Sequence, residues 1–214
     1  MNLLDLLYPP RCAFCHDFLE DGKTLVCARC RSRLPYTEDC GRQKVAFVSL
    51  CVAPYYYEKD VRESLHRFKF ASCTGYARAY APEVAAVIQA QIEAFDVLTW
   101  VPISRERVRQ RGYDQAALLA KAVGKRLGVR PVRTLKKIRN TAPQSQTGNA
   151  EKRKTNISGA YAPIHPERFS GKRVLILDDI ITTGATISEC ARTLGAAGAD
   201  KVFCASVARS RLDG

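Results

Sequence analysis

From about residue 51 onward, short apolar runs alternate with segments in which apolar residues recur every three or four positions. Val97 to Ile103 (VLTWVPI) is almost continuously apolar and is closed by Pro102, the pattern of a strand buried on both faces. Arg173 to Leu177 (RVLIL) and Lys201 to Val207 (KVFCASV) have the same character, and Ala53 to Tyr57 predicts a short aromatic strand. Helical spacing predicts helices over Val61 to Phe70, Tyr76 to Ala94, Asp114 to Leu127 and Thr186 to Ala197, with Gly128 as a C-terminal stop. Residues 139–160 are polar with few large apolar groups. They predict a long loop, and such loops in compact domains are usually functional. Strands alternating with helices imply an α/β fold with a largely parallel sheet.

Residues 1–50 differ, being rich in Cys, Arg, Gly and Asp. The expected organisation is a cysteine-rich zinc-binding unit over 1–50 and an α/β domain over 51–214. Cys12-x2-Cys15 and Cys27-x2-Cys30 form two knuckles separated by eleven residues. Each sets two thiolates on a tight turn, and two knuckles complete a tetrahedral zinc site with no open position for catalysis. A unit with so few apolar residues needs such a staple. Cys40 and Cys51 lack the second cysteine of a knuckle and read as free thiols. Redox chemistry at C-x2-C is disfavoured because the knuckles are paired.

Composition sharpens this picture. The 214 residues include 34 Lys plus Arg against 21 Asp plus Glu, a net charge of +13, which four thiolates and Zn²⁺ reduce to roughly +11. The excess favours a polyanionic partner: nucleic acid, phosphate ester or anionic lipid. No apolar run reaches the length of a membrane span. The stretch MNLLDLLYPPRC is too short and too soon interrupted for a signal peptide. A cytoplasmic location is expected, with a peripheral position at the inner membrane face as a variant.

Val174 to Ile187 (VLILDDIITTGATI) carries the most chemistry. A buried strand is expected to end in Asp178 and Asp179, a loop over Ile180 to Ala185 to follow, and a helix to begin at once. In open α/β sheets ligands bind beyond the carboxyl ends of strands. Thr182, Thr183, Gly184, Ala185 and Thr186 would wrap the helix N-terminus as an anion site for one phosphate. The adjacent carboxylates suit a vicinal diol, directly or through a metal. No G-x4-G-K-[ST] occurs, which disfavours a P-loop NTPase.

DDIITTGAT after an apolar strand looks like the phosphoribosyl pyrophosphate (PRPP) loop of type I phosphoribosyltransferases. The chain as a whole resembles the bacterial ComF/GntX family, in which a zinc-binding N-terminus precedes a phosphoribosyltransferase domain. The resemblance rests on the knuckles, Phe68-Lys69-Phe70, Val101-Pro102, Arg109-x-Arg111-Gly112-Tyr113-Asp114-Gln115, Gln146 with Arg153 and Asn156, and Val174 to Ile187. It implies a type I phosphoribosyltransferase-like parallel sheet flanked by helices, with a small zinc-ribbon-like domain before it. It further implies that Asp178 and Asp179 contact the ribose hydroxyls and that Thr182 to Thr186 cradle the 5-phosphate. The turn after Val97 to Ile103 would hold pyrophosphate, and residues about 140–156 would close over PRPP with Gln146 and Arg153 facing inward. Asp114 stands where the family usually has an amide. Thr182 stands where purine-salvage enzymes of the superfamily commonly carry an acid, which weakens purine salvage and removes the obvious general base.

Arg105, Arg107, Arg109 and Arg111 share a face only if the segment is extended. Arg109 and Arg111 are candidates for pyrophosphate because guanidinium forks match phosphate oxygens. Lys69 is a further phosphate candidate. A second basic stretch runs from Lys121 to Arg139 through Lys136 and Lys137. Tyr55, Tyr56, Tyr57 and Phe68 are candidates to stack bases, although aromatics in strand-like runs are more often core. Two functions follow. In one, an enzyme takes PRPP with Mg²⁺ and transfers the phosphoribosyl group, releasing pyrophosphate. In the other, a non-catalytic accessory of bacterial competence and DNA uptake binds single-stranded DNA beside other competence-machinery proteins. A homodimer is compatible with both.

Overall fold

The computed structural model describes residues 9–19, 24–139 and 157–211. Its main sheet contains β1 (Gln43–Val45), β2 (Val48–Val52), β3 (Tyr55–Tyr56), β4 (Val97–Trp100), β7 (Arg173–Ile181) and β8 (Lys201–Arg209). The order is β1-β2-β8-β7-β4, with β3 continuing beside β8 where β2 leaves it. All pairings are parallel except the β1–β2 hairpin. A separate antiparallel ribbon joins β5 (Leu135–Lys137) to β6 (Tyr161–Pro163). The helices are α1 (Ala28–Arg33), α2 (Lys59–Phe70), α3 (Tyr76–Gln91), α4 (Arg105–Arg111), α5 (Gln115–Leu127) and α6 (Ala185–Ala196).

The alternation of β7 sorts the core into two layers. Leu175 and Leu177 pack with Val61, Leu65 and Phe68 of α2, with α3 and with α5. Val174 and Ile176 pack with Ile187, Cys190 and Leu194 of α6 and with Leu135 and Tyr161 of the ribbon. β7 and β8 run further than their apolar stretches predict, because their ladder continues through Asp178↔Ser206 to Ile181↔Arg209. Asp178 and Asp179 therefore sit inside the strand rather than at its end. Elsewhere the predicted elements shorten. β4 ends at Trp100, and α3 ends at Gln91 because Ile92 is extended. Asp114 is the N-cap of α5 rather than its first residue. The hairpin β1–β2 and the ribbon β5–β6 carry no clear alternation and were not anticipated.

The cysteine knuckles dock onto this frame through the residues between them. Ala13 and Phe14, enclosed by Cys12 and Cys15, are buried. The Phe14 ring meets the edges of Tyr55 and Tyr80 at 5.5 and 5.7 Å between centroids. Ser64 Oγ donates to the Ala13 carbonyl and Arg67 donates to the Phe14 carbonyl, both from α2. His16 Nδ1 lies 2.9 Å from the Tyr76 hydroxyl of α3. Phe14→Ala is expected to cost about 3–5 kcal/mol of stability, read as a lower urea midpoint at constant zinc content. An unchanged midpoint would show that the docking contributes nothing.

Candidate functional site

Four sulfurs form the first site. Cys12, Cys15, Cys27 and Cys30 place their Sγ atoms within 4.8 Å of one another, with Cys15 and Cys27 at 3.7 Å. Tetrahedral zinc with bonds of about 2.3 Å needs sulfurs about 3.8 Å apart, so the residues fit the ion. Cys27 caps α1, its sulfur accepting from the Cys30 N–H, while the Cys27 N–H donates to Cys12 Sγ. Such N–H···S bonds favour thiolates. The donor set is that of a structural zinc. Cys40 and Cys51 stand apart from it. Gln91 donates to Cys40 Sγ at 3.6 Å, and Cys51 is buried in β2 opposite Cys204.

The second site is a cavity of about 1380 Å³ at the carboxyl ends of β4 and β7. Consecutive strand residues point to opposite faces, so Asp178 turns toward α6 and the ribbon, and Asp179 toward α2. Both carboxyls still line the cavity because it wraps the end of the sheet. Lys69, at the end of α2, reaches Asp179 Oδ2 at 2.8 Å. Asp178 Oδ1 accepts from the Asp179 N–H at 2.8 Å. Burial, and then the neighbouring Asp179 charge, push the Asp178 carboxyl well above the usual carboxylate range.

The loop after β7 brings α6 to the same opening. Gly184 caps the helix at φ +74°, and a Cβ there would lie 2.9 Å from Val45 Cγ2 of β1. Glycine is thus required both by the left-handed backbone and by the close approach. Thr182 and Thr186 line the cavity, whereas Thr183 is exposed and Gly184 and Ala185 are buried behind the opening. The first turn of the helix brings its N–H groups and the positive end of its dipole to that opening, where Thr182 and Thr186 line the wall.

The facing wall is the loop Val101–Ile103 and α4. The arginines are helical, so they diverge. Arg107 and Arg111, four residues apart, line the cavity, while Arg105 and Arg109 are exposed on the other side. Arg111 lies 4.8 Å over the Phe70 ring and donates to Gln115 at 2.9 Å. Asp114 caps α5 through the Ala117 N–H and accepts from the Ile103 N–H and the Trp100 indole. It ties the loop to the helix, and burial raises its pKa.

The third wall is the ribbon, with Lys137, Tyr161 and Ile157. Lys137 was legible only as part of a basic stretch, and Tyr161 and Ile157 carried no signal at all, because the ribbon strands are separated by more than twenty residues. Burial, then the Arg107 charge, pulls the Lys137 ammonium down to about 8. Gln146, Arg153 and Asn156 lie outside the described residues. Tyr55, Tyr56 and Phe68 are buried in the core and offer no face to a base.

Two family models and several relatives match the chain. Residues 114–213 match the phosphoribosyl transferase domain, and residues 3–52 match the double zinc ribbon domain. The chain is 24% identical to Competence protein F of Haemophilus influenzae, over 94% of this chain and 97% of that one. It is 29% identical to the DNA utilization protein YhgH of Escherichia coli K12, over 90% and 88%. Among solved structures it is similar to the glutamine PRPP amidotransferase from B. subtilis at 23% identity and a TM-score of 0.41. That match covers 60% of this chain but only 25% of the larger protein. Asp114→Ala is expected to lower stability by about 1–2 kcal/mol through loss of the cap, with faster amide exchange at Ile103. Exchange left unchanged at Ile103 would remove the link between loop and helix.

Proposed function

Because the chain belongs to the ComF family, with a zinc ribbon ahead of a phosphoribosyltransferase domain, we propose that its cavity binds PRPP with Mg²⁺ and transfers the phosphoribosyl group. The observation that carries the reading is the convergence of Asp178 and Asp179 with the Gly184-capped terminus of α6. The two carboxyl groups pair with the two ribose hydroxyls, and the helix terminus with Thr182 and Thr186 donates to the 5-phosphate. The pyrophosphate then faces Val101–Ile103, Arg107 and Arg111, whose positive charge suits a leaving group that gains negative charge as the C1–O bond breaks. Mg²⁺, when bound, supplies further neutralisation of the pyrophosphate. Lys69 keeps a cation against Asp179 and presents it to phosphate oxygens. Arg109 faces away and is assigned no contact in this reading, whereas Gln146 and Arg153 keep the role of closing residues.

Isothermal titration of Mg-PRPP into zinc-loaded protein is expected to give saturable binding. Asp178→Asn combined with Asp179→Asn should abolish it while the far-ultraviolet circular dichroism stays the same. Unchanged affinity in the double variant would refute the site assignment.

A second reading has its own support. Phe70 is 62% exposed at the mouth of the cavity. Its ring lies 4.8 Å from the His66 ring and under the Arg111 guanidinium, while Lys59 and Arg62 follow on the same face of α2. An exposed aromatic among cations suits single-stranded DNA. This supports an accessory role in DNA uptake, at a protein in which no described helix is long and apolar enough to cross a membrane. Partner competence proteins, a homodimer and a peripheral position at the inner membrane face belong to the same proposal. Binding to an oligonucleotide should weaken steeply with salt and fall about tenfold in Phe70→Ala, consistent with a stacking contribution. Binding that ignores salt would reject this reading.

A further inference from the structure

Lys137 is a cavity cation to which the PRPP reading gives no role. It ends β5, pairs in register with Tyr161, and holds its Nζ 5.4 Å from the centre of that ring. Among the described residues it has no carboxylate within ion-pair distance, unlike Lys69. The groups that act on it come from every neighbouring element: Arg107 from α4, Asp178 from β7 and the Cys190 thiol from α6, with the Tyr161 phenol from β6. Asp178 belongs to the ribose end of the site and Arg107 to the pyrophosphate end. Lys137 lines the same cavity as both, so in this reading its amine shares the opening with the ribose and pyrophosphate ends.

Transfer at C1 requires a proton acceptor. An attacking N–H or O–H group loses its proton as the new bond to C1 forms and the electron pair of the C1–O bond leaves with pyrophosphate. Thr182 cannot take that proton near neutral pH. Asp178 and Asp179 are engaged with hydroxyls. Glu63 and His66 line only the outer part of the cavity, on the exposed face of α2. We propose that Lys137, as the free amine, receives the proton of the attacking group. The inference rests on the PRPP reading of the cavity. The depressed pKa supports it, since an amine near 8 is partly unprotonated at neutral pH, where an ordinary lysine is not.

The test follows pyrophosphate release from Mg-PRPP by the full-length, zinc-loaded protein, with water alone and with free nucleobases as acceptors, from neutral to alkaline pH. Release by the wild type should rise with pH and level off above about 8. Lys137→Arg keeps the cation and should keep saturable Mg-PRPP binding. It should lose about a hundredfold in release, in the range for removal of a general base, and should lose the rise with pH. Lys137→Ala should behave alike and regain release with added methylamine, a recovery that a purely structural role would not produce. Release by Lys137→Arg with the wild-type rate and profile would overturn the assignment, as would a wild type that binds PRPP but releases nothing with any acceptor. Failure of the wild type to bind Mg-PRPP would instead overturn the reading of the cavity itself.

Discussion

A strand buried on both faces cannot point two consecutive side chains the same way. β7 carries Asp178 and Asp179 next to each other under that constraint, and much of the site follows from it. One carboxyl must be served by the α6 layer and the other by the α2 layer, so the ligand opening has to wrap the end of the sheet. Lys69 reaches Asp179 from one side, while Lys137 senses Asp178 from the other. The two faces are chemically unlike. The Asp179 side is closed by an ion pair, whereas burial and the Asp179 charge hold the Asp178 carboxyl toward the protonated form.

The zinc ribbon is part of the same construction. Its first knuckle gives up two backbone carbonyls to Ser64 and Arg67, and α2 carries Lys69 two residues further on. The second link is Val45 of β1, within the residues that match the double zinc ribbon domain, which packs where a Gly184 side chain would otherwise stand. The N-terminal fifty residues therefore pack behind the cavity wall, against α2 on one side and against the Gly184 turn on the other. Zinc, by holding the knuckle, braces the helix whose Lys69 pairs with Asp179.

Local chemistry made some of this legible in the sequence. The thiol spacing, the buried runs and the DDIITTGAT segment each have a physical meaning that survives without tertiary context. The bounds of β7 did not, because Asp178 and Asp179 are poor strand residues in isolation and extend the strand only through their ladder with β8. The arginine row was ambiguous for a related reason. Whether alternate arginines converge depends on secondary structure, and Ser104 settles it by capping a helix, accepting from the Arg107 N–H. That turns Arg107 inward and Arg109 outward. Lys137 and Tyr161 meet only through pairing across a long polar stretch, which no local pattern encodes. The tyrosine cluster was readable either way: burial decides Tyr55, Tyr56 and Phe68 for the core, whereas Tyr57 is half-buried and lines the cavity.

The chain contains one tryptophan, and the fold puts it in an informative place. Trp100 closes β4, directly before the Val101–Ile103 loop, with its indole bonded to the Asp114 carboxyl. Any ligand that displaces that loop alters the polarity around a single chromophore. No other indole contributes background. The molecule thus carries its own optical reporter at the wall where the leaving group is expected, and occupancy can be followed in real time without a label.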